Sequence, residues 1–203
     1  MSLYSLTTLS VPIMYQSKNK QKGFTLIEIL VALAILSVIA LLASSAFDGS
    51  RSKAQSMIGL AKQIGDGNIQ LKTDTGCYVN NPSALFEPTA AQLPANNYCA
   101  ATFGGTWARP YLQQYTTNAA GDLVIDKISA GVTVGLKQLV DANGTRYYVH
   151  LENVPMDVIK QALVECNNDN KTPGDFLQNR CRTTSDLSTT QPGTFDMLYD
   201  TTM

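Results

Sequence analysis

The chain of 203 residues has few of the residues that build metal and catalytic sites. It has one histidine, His150, and its four cysteines include no C-x-x-C pair, which argues against a zinc site. Neither a G-x-S-x-G elbow nor a phosphate-binding loop occurs. His150 falls in a strand-like run, where a lone histidine is usually a surface or hydrogen-bonded side chain. We therefore predict a protein that is not an enzyme and that has no catalytic residues, cofactor or metal.

Acidic residues are absent from residues 1–23, which contain Lys18, Lys20 and Lys22. If this segment is removed, the chain loses three of its 15 basic residues and none of its 16 acidic ones. The remaining chain then has a net charge of −4. A nucleic-acid-binding surface requires a basic stripe. The isolated chain is therefore not expected to bind nucleic acid.

A run of twenty residues, 24–43, contains a single charge, Glu28. At roughly 1.5 Å per residue it matches the hydrocarbon thickness of a bilayer, about 30 Å. The preceding lysines predict that the N-terminal side stays in the cytoplasm. A carboxylate in such a segment is costly without a partner. A cut between Gly23 and Phe24 creates an amine that can pair with Glu28 of a neighbouring copy.

The motif Lys22-Gly23-Phe24-Thr25-Leu26-Ile27-Glu28 resembles the prepilin signature of type IV pilins and type II secretion pseudopilins. The resemblance implies that a membrane prepilin peptidase cuts between Gly23 and Phe24 and N-methylates Phe24. It implies that Glu28 guides filament assembly. The alternatives are an ordinary secretory signal and a plain membrane anchor, but the run is longer than a usual signal and a Glu inside it is out of place.

The resemblance divides the chain into three parts. Residues 1–23 are the cleaved leader, 24–46 the transmembrane and filament-core helix, and 47–203 the globular head. Translation from Met14 is an alternative start that shortens the leader. Many pilins have a helix-breaking proline where this chain has Ser45, and the neighbourhood of Phe47 and Gly49 is an alternative soft point.

Three segments make up the expected head: an amphipathic helix at 47–73, an αβ-loop at 74–121, and a sheet with a D-region at 122–203. The helix is indicated by an apolar stripe, and Asp74-Thr75-Gly76 ends it. The stripe comprises Ala54, Met57, Ile58, Ala61 and Ile64.

Strands are predicted at 122–128, 131–140, 145–151 and 194–199, with a hairpin turn at Asn143-Gly144 and a helix at 154–165. The fold class is therefore α+β, a long N-terminal helix on an antiparallel sheet. The resemblance implies the pilin αβ-roll with a D-region closed by a disulfide.

Four cysteines allow three pairings. We favour Cys77–Cys99 and Cys166–Cys181, since pairs close in sequence close loops without crossing the domain; reduced buried cysteines are the alternative. Trp107, Tyr111 and Tyr115 form either a binding surface or, as we prefer, a cover over the core.

Two polar patterns in the expected head could mark a calcium site and glycosylation sites, or could be ordinary surface loops. Asn168, Asp169, Asn170 and Asp175 resemble calcium ligands, but a solvated loop is preferred because the spacing is not that of an EF-hand. Two glycosylation triplets, which begin at Asn143 and Asn170, are short and carry little weight.

We expect the major subunit of a type IV pilus, a filament that supports adhesion, twitching motility or DNA uptake. A minor pilin or a type II secretion pseudopilin is the alternative, and a membrane-anchored periplasmic binding or hydrolytic domain is a second one. The expected partners are other copies of the chain, prepilin peptidase, the inner-membrane assembly machinery, and the membrane before assembly. The location is the bacterial inner membrane and then the extracellular pilus.

Overall fold

A computed structural model describes residues 25–46 and 49–202. The leader, the cleavage pair Gly23 and Phe24, and most of the soft point at Phe47–Gly49 lie outside the described residues. The chain divides into two compact units between Phe47 and Asp48, and each unit has its own description below.

The first unit contains helix α1, Leu26–Ala46, whose side chains are described as far as Ser37. Its sequence consists mainly of leucine, isoleucine, valine and alanine, and its only charge is Glu28. All described side chains of this helix are exposed, and eight large apolar ones are between 52% and 78% accessible. As far as Ser37, the helix therefore has no covered apolar face within the described part of this unit. Within the described part of the chain, no helix combines the length and the apolarity that crossing a membrane requires.

The second unit is built on helix α2, Gly49–Thr75. Ala54, Met57, Ala61 and Ile64 are fully buried, as the apolar stripe predicts, while Ile58 is half-buried. The helix ends before Gly76, whose φ of 85° suits a glycine that stops a helix. Gly65 is buried against Tyr199, and the position requires glycine because an added Cβ would lie 2.6 Å from the Cβ of Tyr199.

One antiparallel sheet of five strands, in the order β1-β2-β3-β5-β4, packs in a common core with α2. The strands are β1 (Leu123–Val124), β2 (Thr133–Asp141), β3 (Gly144–Val154), β4 (Cys181–Arg182) and β5 (Gly193–Thr202). β2 and β3 form the expected hairpin, in which Asp141 pairs with Gly144 around the turn. Helix α4, Met156–Asn167, buries Val158, Ile159, Ala162 and Leu163 against α2 and the sheet.

The connection between α2 and the sheet contains several short helical turns. Three of them begin at a proline, where the missing N–H costs nothing: Pro82–Leu85, Pro88–Ala91 (α3) and Pro94–Asn96. Trp107, Tyr111 and Tyr115 pack against the core, and the indole N–H of Trp107 donates to the Ala84 carbonyl at 3.0 Å. The prediction that these aromatics cover the core is confirmed.

Two disulfides, Cys77–Cys99 and Cys166–Cys181, are the two pairs that the sequence favours. The first joins the end of α2 to the connection, and the second joins α4 to β4. The α+β class is confirmed.

Several element bounds differ from the prediction. The strand at 122–128 is reduced to Leu123–Val124, because the chain turns after it and the Ile128 N–H bonds to the Ile125 carbonyl. The last strand is longer than expected, Gly193–Thr202, and β4 was not predicted. Helix α4 begins after Pro155 and runs two residues further, to an end at Asn168 in the left-handed conformation.

The fully buried Asn68 joins α2 to the segment after it. Its amide donates to the Val79 carbonyl and accepts from the Val79 N–H, both at 3.0 Å. We predict that Asn68→Ala lowers the free energy of unfolding by about 2–3 kcal/mol, because both backbone groups of Val79 stay buried without a partner. Urea unfolding of the purified chain in detergent measures this. Gln70→Ala, on the exposed side of α2, is the control and should change stability little; equal effects of the two substitutions would contradict the assignment.

Candidate assembly site

Glu28 lies in the first turn of α1, where it forms a capping box with Thr25. The Glu28 Oε2 atom accepts hydrogen bonds from the Thr25 backbone N–H at 2.9 Å and from its hydroxyl at 3.0 Å. The Glu28 N–H bonds back to the Thr25 carbonyl at 3.0 Å and lies 3.3 Å from its hydroxyl oxygen. Thr25 and Glu28 therefore define where the helix begins.

The sequence analysis did not predict this hydrogen-bonded cap, and the pairing of Glu28 with an amine of another copy stays a prediction. The signal was present in the sequence, since Thr-x-x-Glu before an apolar run is the pattern of a capping box.

Two apolar grooves on the surface of α1 flank Glu28. One is lined by Ile27, Val31, Ala32 and Ile35, and the other by Ile29, Ala32 and Leu33. Ala32 belongs to both grooves, and its small side chain permits the close approach of another helix.

Among the described residues of this unit, the capping box leaves the charge of Glu28 without a counter-charge, because α1 contains no basic residue. Hydrogen bonds from neutral donors satisfy lone pairs, but an ionised carboxylate removed from water also needs a positive partner. The site can therefore accept an ammonium group from outside the helix. The proposed source, the amine of Phe24, belongs to a residue outside the described part of the chain.

The cysteines of the two predicted disulfides belong to the second unit, and so does His150. His150 lies on β3 between two carboxylates: its Nδ1 is 2.5 Å from Asp196 Oδ1, and its Nε2 is 3.0 Å from Glu152 Oε1. Asp196 is buried and also pairs with the Arg182 guanidinium at 2.9 Å. His150 is thus hydrogen-bonded, as preferred, but sequence analysis missed this cluster because β5 contributes Asp196 from 46 residues away.

The carboxylates of the polar loop at 168–175 accept hydrogen bonds from residues close to them in sequence. Asp169 accepts from the Lys171 N–H at 2.8 Å and from the Thr172 hydroxyl, and Asp175 accepts from the Leu177 N–H at 3.0 Å. Among the residues with described coordinates, no three His, Cys, Asp or Glu side chains group as metal ligands. These contacts are those of turns in a solvated loop.

The protein belongs to a structural class in which an exposed apolar helix with one carboxylate comes before an α+β head in the sequence. Residues 18–44 match the family model of the prokaryotic N-terminal methylation motif. The chain thus carries a prepilin-type methylation motif, and this motif and the α+β fold are consistent with the type IV pilin family. Comparison with curated proteins and with solved structures finds no match for this chain.

The contacts of His150 predict a pH dependence of stability. Burial lowers the pKa of His150, but the hydrogen bonds and charges of Asp196 and Glu152 outweigh burial and raise this pKa above 6.5. A raised pKa stabilises the fold fully below the unfolded value and less as the pH rises through the folded value. We expect the stability difference between the wild type and His150→Gln to be larger at about pH 5.5 than at about pH 8. Urea unfolding at both pH values measures it, and a difference that does not change with pH would contradict this assignment.

Proposed function

We propose that this chain is the major subunit of a type IV pilus. The observation that carries the proposal is Glu28, a lone carboxylate on an exposed apolar helix, inside the stretch 18–44 that matches the methylation motif. In this proposal the leader is cut between Gly23 and Phe24, and Phe24 is N-methylated. The subunits wait in the inner membrane and then polymerise into an extracellular filament.

Assembly follows from the chemistry of Glu28. When subunits pack side by side, their apolar helices leave lipid or water and bury one another's grooves. The Glu28 carboxylate then lies in a medium of low dielectric constant, where an unpaired charge is penalised and a nearby ammonium is strongly attracted. The new amine of Phe24 on a neighbouring subunit supplies that ammonium. Only one register of the two helices brings the groups together, so the pair selects the register.

The heads are the outer surface of the proposed filament. Both disulfides suit an oxidising location outside the cytoplasm. Adhesion, twitching motility and DNA uptake are the activities expected of such a fibre, and they belong to the assembled fibre and not to the single chain.

Replacement of Glu28 tests this function directly. We predict that Glu28→Gln lowers the yield of surface fibres at least about tenfold, because it removes an ion pair from a core of low dielectric constant and tenfold corresponds to only 1.4 kcal/mol. The subunit itself should still be folded and held in the membrane. Fibres sheared from cells and quantified by gel and electron microscopy measure the yield.

The matched control is Glu87→Gln in the head, which should leave the fibre yield unchanged. In wild-type cells this chain should be the dominant protein of the sheared fibres; a trace amount would favour a minor pilin or pseudopilin. Normal fibres from Glu28→Gln cells would contradict the proposed role of the carboxylate.

Replacement of Gly23 tests processing. We predict that Gly23→Val leaves the lysine-rich leader attached, because a branched side chain does not fit the peptidase site, and that no fibres form. Intact-mass measurement of the membrane-bound chain detects the uncut leader. The control is Gly59→Val on α2, where an added Cβ meets nothing within 4 Å, and this variant should be cut normally. Cleaved Gly23→Val protein would show that processing does not depend on this glycine.

A further inference from the structure

Four tyrosines of the head form a ring cluster, which we call the tyrosine cluster: Tyr78, Tyr98, Tyr147 and Tyr199. The closest ring centres are those of Tyr78 and Tyr147, at 4.2 Å, with the rings tilted by 41°. The other contacting pairs have centres between 5.7 and 6.4 Å apart. The cluster brings together the segment after α2, the loop closed by the first disulfide, β3 and β5.

Three of these hydroxyl groups have fixed partners. The Tyr78 hydroxyl donates to the Asp200 carboxylate, and the Tyr98 hydroxyl donates to the Leu136 carbonyl at 3.2 Å. The Tyr199 hydroxyl accepts from the Asn68 amide at 2.8 Å. Only Tyr78 thus donates to an ionisable base.

Burial raises the pKa of Tyr78, Tyr98 and Tyr199, so these phenols are protonated at neutral pH. A protonated phenol loses an electron most readily when a base takes up its proton at the same time. Asp200 is placed to do this for Tyr78. The Lys72 ammonium, 4.5 Å from the centre of the Tyr78 ring, opposes loss of the electron, but it is itself paired with Asp200 at 3.4 Å.

We propose that Tyr78 and Tyr147 form a site of oxidative modification, at which a one-electron oxidant derived from peroxide joins the two rings as dityrosine. Each phenol gives up one electron to the oxidant and one proton, that of Tyr78 to Asp200 and that of Tyr147 to water. The two phenoxyl radicals form a carbon–carbon bond between positions ortho to their oxygens. The two ring protons then move to the oxygens and restore both phenols. Two electrons and two protons are released in total, which convert one hydrogen peroxide to two waters.

The geometry selects this pair over the others in the cluster. A bond between rings requires contact of ring carbons, and a separation of 4.2 Å between centres gives that contact, whereas pairs at 5.7 Å or more meet less closely. The product ties the segment after α2 to the central strand β3. This inference goes beyond the proposed filament function and does not depend on it.

The test uses the full chain in detergent at low concentration, oxidised by visible light with tris(bipyridine)ruthenium and persulfate. Persulfate takes up the two electrons and becomes two sulfates. We expect dityrosine fluorescence in the monomer band, faster migration of that band after disulfide reduction, and a Tyr78–Tyr147 linked peptide in the mass spectrum.

Phenylalanine variants keep the ring packing and remove the phenol. Tyr147→Phe and Tyr78→Phe should each abolish the linked peptide. Tyr115→Phe, which removes a phenol outside the cluster, should keep the wild-type yield. The proposal is overturned if the wild-type chain gives no dityrosine, gives it only between molecules, or links other tyrosines, or if the product persists in Tyr147→Phe.

Discussion

The first unit of this chain contains a mismatch between one charge and its surroundings. Glu28 is the only charged residue of α1, and the described side chains around it are apolar and exposed. Thr25 satisfies one carboxylate oxygen with two neutral donors, which fixes the start of the helix. It does not neutralise the charge, and the charge becomes costly when the helix leaves water. In the proposed filament, a positive group from another subunit would neutralise this charge, which links the local cap to the polymer.

In the head, a long connection is held against a small sheet. Helix α2 supplies the buried stripe, and Asn68 satisfies both backbone groups of Val79 just beyond its end. The first disulfide closes the connection next to this point, and the tyrosine cluster packs beside it. Covalent, polar and aromatic contacts thus converge where α2 ends, so a change there affects helix, loop and sheet together.

Patterns that are local in sequence predicted most of the fold. The stripe from Ala54 to Ile64, the Asn143-Gly144 turn and the apolar face of α4 each depend on neighbours a few residues away. The pairing of β3 with β5, the burial of Asp196 beside His150 and the tyrosine cluster depend on residues 39 or more positions apart, which periodicity does not relate. The two-residue strand β4 was missed because it is too short to show alternation. At the assembly site, the charge was recognised but its cap was not.

The most direct measurement of the central claim is an electron cryomicroscopy map of fibres made by this chain, at a resolution that shows side chains. The account predicts that every subunit begins at Phe24 and that its amine lies within hydrogen-bonding distance of Glu28 on a neighbouring subunit. A map in which Glu28 faces solvent, or contacts only Thr25 of its own chain, would contradict it.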